Sequence, residues 1–334
     1  MDPNLAFTTL VLLVALALAF DFMNGFHDAA NSIATVVSTG VLKPYQAVVW
    51  AAVFNFLAIA IFELKVAATV GKGIVSPEVV DQQVIFGALI GAISWNVITW
   101  YYGIPSSSSH ALIGGMIGAV LAKTGPAPLL APGIMKTATF IVLSPVIGML
   151  LAALLIAGVS WLCLRVTPLK ADRVFRKLQL VSSALYSLGH GTNDAQKTMG
   201  IIWLLLIASG AGTADHLPFW VVVSCFVMIA LGTLFGGWRI VKTMGQRITK
   251  LRPIGGFAAE TGGAIALFTA TSLGIPVSTT HTITGAIIGV GSAQRGFSAV
   301  RWGVATNIVT AWVFTIPASG LIAALAWWLG GLYF

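Results

Sequence analysis

Apolar runs recur along the whole chain, each near the length of a membrane helix and each followed by a short polar, Gly- or Pro-bearing stretch. A crossing takes about 20 apolar residues. On that measure the first half predicts helical segments at 5–39, 45–62, 84–102, 106–123 and 138–164. The second half predicts them at 180–209, 218–237, 256–273, 278–294 and 302–330. The opening segment of each half is longer than one crossing and carries an internal polar cluster, which predicts a break near 24–28 and a matching one in 180–209. The Ser- and Thr-rich segments read equally as full crossings or re-entrant hairpins, so about ten segments, 10–12, are expected. Period-two alternation over segments of about ten residues is missing, which excludes a transmembrane β-barrel. The pattern predicts an all-α polytopic membrane protein.

Composition agrees. Of 334 residues, 57% are apolar and 8% charged, and the mean hydropathy is +0.94; soluble domains carry about 25% charged residues. The net charge of +8 does not point to nucleic acid, because the Lys and Arg residues sit in short loops. Basic loops mark the cytoplasmic side. Stretch 165–177 (Arg165, Lys170, Arg173, Arg176, Lys177) and stretch 239–252 (Arg239, Lys242, Arg247, Lys250, Arg252) should both lie inside, with an outward N-terminus. Lys65, Lys72, Lys123 and Lys136 then fall outside with the 63–81 loop, and Lys197 falls within the membrane. The first apolar run, Leu5 to Phe20, lacks a basic n-region and a cleavage site and reads as a membrane helix, not a signal peptide. Cys163 and Cys225 both lie in apolar runs and read as packing residues.

Five crossings per half would make the second half enter from the opposite face. The expected organisation is therefore two inverted-topology repeats, 1–164 and 179–334, joined by a basic cytoplasmic linker at 165–178. One polar constellation occurs in both. Asn24-Gly25-Phe26-His27-Asp28-Ala29-Ala30-Asn31 is answered by His190-Gly191-Thr192-Asn193-Asp194-Ala195-Gln196-Lys197, with Asp28 and Asp194 offset by 166. Gly103-Ile104-Pro105-Ser106-Ser107-Ser108-Ser109-His110 is answered by Gly274-Ile275-Pro276-Val277-Ser278-Thr279-Thr280-His281, offset by 171. Between 103–119 and 274–290, eight of 17 positions are identical.

These residue types suit an ion site at a repeat interface. Pro105 and Pro276 each end one helix or start another, and the hydroxyls that follow are good N-caps. A half-helix starting near 109 would present free N–H groups and a positive dipole end to an anion. A structural alternative has these hydroxyls only bonding back to helix carbonyls or easing close helix approach. Asp28 and Asp194 are intramembrane carboxylates beside amides, so each is expected to be protonated, paired, bound to a cation, or to cap a broken helix. Asp21 is less informative, since Ser187 takes its place in the second copy. His110 and His281 suit hydrogen bonding or proton relay, and Lys197 suits a pair with Asp194 or attraction of the anion. Neither His-x-x-x-His nor His-Glu-x-x-His occurs, so no preformed metal site is expected.

The four motifs Gly-Phe-His-Asp-Ala-Ala-Asn (25–31), Pro-Ser-Ser-Ser-Ser-His (105–110), Gly-Thr-Asn-Asp-Ala-Gln-Lys (191–197) and Pro-Val-Ser-Thr-Thr-His (276–281) resemble the duplicated signatures of the inorganic phosphate transporter (PiT) family. The resemblance runs from about 7 to 330. It implies an inverted-repeat fold that moves inorganic phosphate with a coupling cation. Carried over by residue, it places phosphate at Ser107, Ser108, Ser109, Ser278, Thr279, Thr280, Gln196 and Asn193. The coupling cation or proton falls to Asp28, Asn31, Asp194, Asn24 and Glu260, with His110, His281 and Lys197 as relay candidates. Sodium-using members often carry Glu where this chain has Asn55, with Glu260 as the acid of the second half. That departure favours H+ over Na+ and resembles bacterial members that carry phosphate as a neutral metal complex.

The expected protein is thus a symporter importing phosphate through the inner (cytoplasmic) membrane by alternating access. Its partners are phosphate, a coupling cation and the lipid bilayer, with no nucleic acid, no further cofactor, and a homodimer left open. One rival is sulfate on the same fold, disfavoured because Asp acceptors beside the anion call for a donor that sulfate lacks near pH 7. The other is a membrane-embedded Ser/His hydrolase. That needs an asymmetric nucleophile–base pair, whereas these motifs are duplicated and symmetric and no Gly-x-Ser-x-Gly occurs.

Overall fold

The computed structural model describes residues 3–332; positions 1–2 of the first expected repeat and 333–334 of the second lie outside them. The fold is helical throughout, with an isolated bridge between Val75 and Leu129 as the β pairing among the described residues. In chain order the α-helices are α1 (Pro3–Ser38), α2 (Pro44–Leu57), α3 (Lys65–Lys72), α4 (Gln82–Tyr102), α5 (Ser108–Thr124), α6 (Ala131–Leu162), α7 (Pro168–Ala208), α8 (Phe219–Phe235), α9 (Trp238–Lys242), α10 (Pro253–Ser272), α11 (Thr279–Arg295) and α12 (Trp302–Gly330).

The element order repeats. A long helix (α1, α7) is followed by a bent pair: α2 and α3 meet at 88°, and α8 meets the α9 turn at 62°. Then come α4–α5 and α10–α11, each joined through a left-handed glycine, Gly103 (φ 67) or Gly274 (φ 64), just ahead of the Pro that starts the next segment. Only Gly adopts this backbone without strain. A proline-bearing helix closes each series, α6 with Pro145 and α12 with Pro317.

The two series interlock. α5 packs on α12 and α11 on α6, while α1 lies against α8 and α2 against α7. The glycine ahead of each Asp motif permits the latter contacts. A Cβ on Gly25 would lie 2.2 Å from the Ile229 carbonyl oxygen of α8, and one on Gly191 would lie 2.6 Å from the Asn55 carbonyl oxygen of α2. The outer faces carry exposed Leu, Val, Phe and Trp, as at Leu154, Val313, Leu321 and Trp328, and the interior holds the polar residues.

The structure bears on three expectations. First, neither long helix is broken at its Asp motif: α1 and α7 run unbroken for 36 and 41 residues. Neither has an internal proline after its first turn, and polar side chains of both bond to side chains of other helices rather than inserting into the i→i−4 ladder, which stays intact. Second, four helices are long and apolar enough to cross a bilayer, or up to six if each bent pair counts as one span, and the expected ten counts α5, α7, α10 and α11 as well. α5 and α11 hold 17 residues each, and α7 mixes polar residues into its length. Third, the expected loops are partly ordered helix. α7 begins at Pro168, inside the 165–178 linker. α3 occupies part of 63–81 and buries Val66, Ala67, Val70 and Gly71. The stretch 239–252 contains α9 and a π turn, with Ile240, Val241 and Met244 buried.

Candidate functional site

The hydroxyl clusters start helices. Ser107 is the N-cap of α5, its Oγ accepting from the His110 N–H at 3.2 Å; Ser278 caps α11 in the same way from His281 at 3.2 Å. The N–H groups of Ser108 and Ser109, and of Thr279 and Thr280, open these first turns and have no intrahelical partner. The two first turns face each other: the His110 and His281 rings lie 4.7 Å apart, edge to face, and His281 stacks on Trp312 at 3.7 Å. His110 Nδ1 and His281 Nε2 are buried without hydrogen-bond partners. Trp312 Nε1–H donates to the Pro105 carbonyl at 3.0 Å, holding α12 to the α5 turn.

The Asp motifs flank this meeting point from mid-α1 and mid-α7. Within each half a hydroxyl donates to the carboxylate at 3.3 Å, Ser108 to Asp28 Oδ1 and Thr279 to Asp194 Oδ2. Between halves, each helix reaches the opposite hydroxyl cluster three residues after its Asp. Asn31 Nδ2 donates to Thr279 Oγ1 (3.1 Å) and Thr280 Oγ1 (2.9 Å), and Lys197 Nζ donates to Ser109 Oγ. The tethers behind the carboxylates repeat as well: His27 Nε2 lies 3.0 Å from Thr99 Oγ1, and Asn193 Nδ2 donates to Thr271 Oγ1 at 2.9 Å.

The charge environments differ. His27 Nδ1 lies 2.6 Å from Asp28 Oδ1. Asp194 has Lys197 Nζ at 2.5 Å, and Lys197 also donates to the Val277 carbonyl at 2.9 Å. His190 Nε2 sits 3.2 Å from Asp194 Oδ2 without hydrogen-bond alignment, while its Nδ1 lies 3.1 Å from Asn55 Oδ1. Asp28, His190 and Asp194 each bring one potential ligand atom within 4.8 Å of the others. Sequence spacing gave no such expectation, because the three come from two helices of different halves. The signal that was present is His190-x-x-x-Asp194, an i,i+4 pair on one helix face.

Residues 24–323 match the phosphate transporter family. The chain belongs to that family. It is 64% identical over 333 residues, covering 99% of each chain, to a protein of Rhizobium meliloti (strain 1021) named as a probable low-affinity inorganic phosphate transporter. A Bacillus subtilis (strain 168) protein of the same name is 46% identical, covering 97% of this chain and 98% of its own. A solved structure described as the sodium-dependent phosphate transporter superposes with a TM-score of 0.90 at 26% identity, covering 98% of this chain and all of the other. The family consists of transporters, not enzymes, so the hydrolase alternative is set aside. With its apolar helices, this phosphate transporter family member is a membrane protein.

Against this frame of helices the expected site residues separate. Asn31, Asp194, Lys197, Ser109, Thr279 and Thr280 share one bonded network and Asp28 with Ser108 lies beside it, with Ser107, Ser278, His110 and His281 in the turns that carry both. Gln196 is engaged elsewhere: its Oε1 accepts from the Val66 and Ala67 N–H groups at 3.0 and 3.3 Å, and its Nε2 donates to the Thr192 carbonyl at 2.6 Å, so it caps α3. Glu260 forms a separate buried cluster, accepting from Thr35 Oγ1 (2.6 Å), Gln179 Nε2 (3.0 Å) and Ser182 Oγ (2.5 Å). Asn24 Oδ1 and Asn193 Oδ1 are buried without partners.

Sequence reading left Asp21 open between structural and functional roles and missed Tyr186. Asp21 is fully buried, with Oδ1 accepting from Thr198 Oγ1 at 2.8 Å and Oδ2 unpartnered. Tyr186 donates from its hydroxyl to the Thr279 carbonyl at 2.9 Å and so positions the start of α11. A cavity of about 580 Å³, lined in part by Thr99, Gly103, Pro105, Thr243 and Arg247, adjoins the α5 turn.

Proposed function

We propose that this protein is a secondary active symporter that imports inorganic phosphate across the inner (cytoplasmic) membrane with a coupling cation, H+ in preference to Na+, by alternating access. The observation that carries the reading is the convergence of two equivalent hydroxyl-capped helix N-termini, one from each half, between two buried carboxylates. Such N-termini favour anions. Ser107, Ser108, Ser109, Ser278, Thr279 and Thr280 surround the anion, and Asp28 and Asp194 accept hydrogen bonds from its protonated oxygens or hold the coupling cation beside it. Asn31, Asn24 and Asn193 supply amides at the edge of that space, and Glu260 serves as a further cation or proton site on the same helices. Gln196 acts through α3, because both ends of its amide are already bonded there.

The repeated element order supports two inverted halves, with stretches 165–177 and 239–252 on the cytoplasmic side. An anion and a cation crossing together avoid moving uncompensated charge through a low-dielectric interior. Proton coupling is favoured by Asn55: a neutral amide, bonded to Thr233 Oγ1 at 2.9 Å and set against His190, stands where an acid would serve sodium. The solved relative carries sodium in its own name, so the preference for H+ rests on this chain's residues. The Asp28, His190 and Asp194 grouping suits a divalent ion accompanying phosphate.

The test is phosphate uptake by purified protein in proteoliposomes, with Asp28→Asn and Asp194→Asn beside the parent. Both variants should insert and lose concentrative uptake. Parental accumulation by both would defeat the assignment, and uptake abolished by equimolar sulfate would turn it toward a general oxyanion carrier.

A further inference from the structure

Lys197 is the one cation in the bonded network of the candidate site among the described residues, and its surroundings are those of an ion. Its ammonium contacts three oxygens of three chemical kinds: the Asp194 carboxylate at 2.5 Å, the Val277 carbonyl at 2.9 Å and the Ser109 hydroxyl. They come from α7, from the turn before α11, and from the first turn of α5, and the side chain is among the largest that are fully enclosed. Carboxylate, carbonyl and hydroxyl oxygens converging on one buried point form a hard-ligand set for an alkali cation.

The other half has no Lys or Arg at the equivalent position, and His27 Nδ1 lies 2.6 Å from its carboxylate, Asp28 Oδ1. At the offset of 166, the counterpart of Lys197 is Asn31. Asn31 makes the equivalent reach to the opposite hydroxyl cluster, but it is neutral and its Oδ1 has no partner. One half therefore presents a free amide oxygen near its carboxylate, while the other presents an ammonium already seated on its carboxylate.

We propose that Asp194 Oδ1, Ser109 Oγ and the Val277 carbonyl form a monovalent-cation site that the chain's own Lys197 ammonium occupies, so this position takes no dissociable cation. The proposal builds on the symport reading above and concerns which ion positions that symport uses. A tethered ammonium neutralises Asp194 in place, but it is not released on the far side. It therefore adds no coupled charge to the driving force set by the membrane potential. Coupling is left to the other positions, whose ions can leave.

The test is equilibrium binding of ²²Na+ to purified protein in detergent with phosphate present, for the parent and for Lys197→Asn, Lys197→Gln and Lys197→Arg. Lys197→Asn recreates the residue of the other half, and Lys197→Gln has greater reach. Both should gain one saturable sodium site per chain relative to the parent, and Lys197→Arg should gain none. Both neutral variants should also melt at lower temperature in choline chloride and recover in sodium chloride, because bound sodium stabilises the folded state by mass action. A purely structural ion pair would lose stability equally in either salt. The proposal fails if sodium binding is the same in parent and neutral variants, if recovery is equal in choline chloride, or if the neutral variants stay unfolded in sodium. The parent–variant difference is the readout, so a parent that itself binds sodium would defeat the proton preference and leave this comparison intact.

Discussion

Replacing Asp194 with Asn should separate the stability role of this carboxylate from its transport role. The substitution keeps the shape but removes the charge that faces the Lys197 ammonium at 2.5 Å, and both side chains are almost wholly buried. Lys197 would keep its bonds to Ser109 and the Val277 carbonyl, yet it would be a buried cation without a counter-charge. Breaking such a pair by removing one partner costs about 3–5 kcal/mol. With an unfolding entropy of about 2.1 cal/mol/K per residue, a chain of 334 residues should melt roughly 4–7 °C lower. The double variant Asp194→Asn with Lys197→Met replaces the pair by groups of similar volume and should recover most of that loss, since such replacements are often neutral. Neither variant should accumulate phosphate. Thermal melting in detergent, followed through tryptophan fluorescence, gives the shifts, and proteoliposome uptake gives transport. An unshifted Asp194→Asn, or a double variant no more stable than the single one, would refute the buried-pair reasoning.

Three further outcomes follow from other parts of the molecule. Gly25→Ala would place a Cβ 2.2 Å from the Ile229 carbonyl oxygen and should cost about 1–3 kcal/mol or more in melting assays, whereas Gly158→Ala, with open space around it, should be neutral or slightly stabilising. Ser107→Ala and Ser278→Ala each remove an N-cap worth about 1 kcal/mol and a hydroxyl from the proposed anion site, so each should lower both melting temperature and phosphate uptake. With Cys163 replaced by Ser, single cysteines at Lys170 and Lys250 should resist an impermeant maleimide in intact cells; labelling of either from outside would overturn the proposed orientation.

The residues of the candidate site were legible because a buried carboxylate, an amide and a hydroxyl run are costly in an apolar segment, and here they occur twice in the same order. Position along the helix was legible too: the spacing Gly-Ile-Pro followed by Ser or Thr located the starts of α5 and α11 to within a residue or so. What sequence could not show is which partner satisfies a polar group. The clusters at 24–31 and 190–197 suggested broken helices, but their side chains bond across to Thr99, Thr271, Thr280 and Ser109, which leaves the backbone ladders whole. The family resemblance placed Gln196 at the phosphate, and on the helix its amide bonds the start of α3. The pairing of His190 with Asn55 joins positions 135 apart in the chain, and no local pattern encodes it. The bends at 61–64 and 236–237 were hidden because the short helices after them contain charged residues and read as loops.

The measurement that bears most directly on the central claim is phosphate accumulation by the purified protein in proteoliposomes, under an imposed proton gradient and, separately, an imposed sodium gradient. The predicted result is accumulation with the proton gradient alone, abolished by a protonophore and indifferent to sodium. Accumulation that requires sodium would contradict the proton coupling inferred from Asn55, and no accumulation under either gradient would contradict phosphate symport itself.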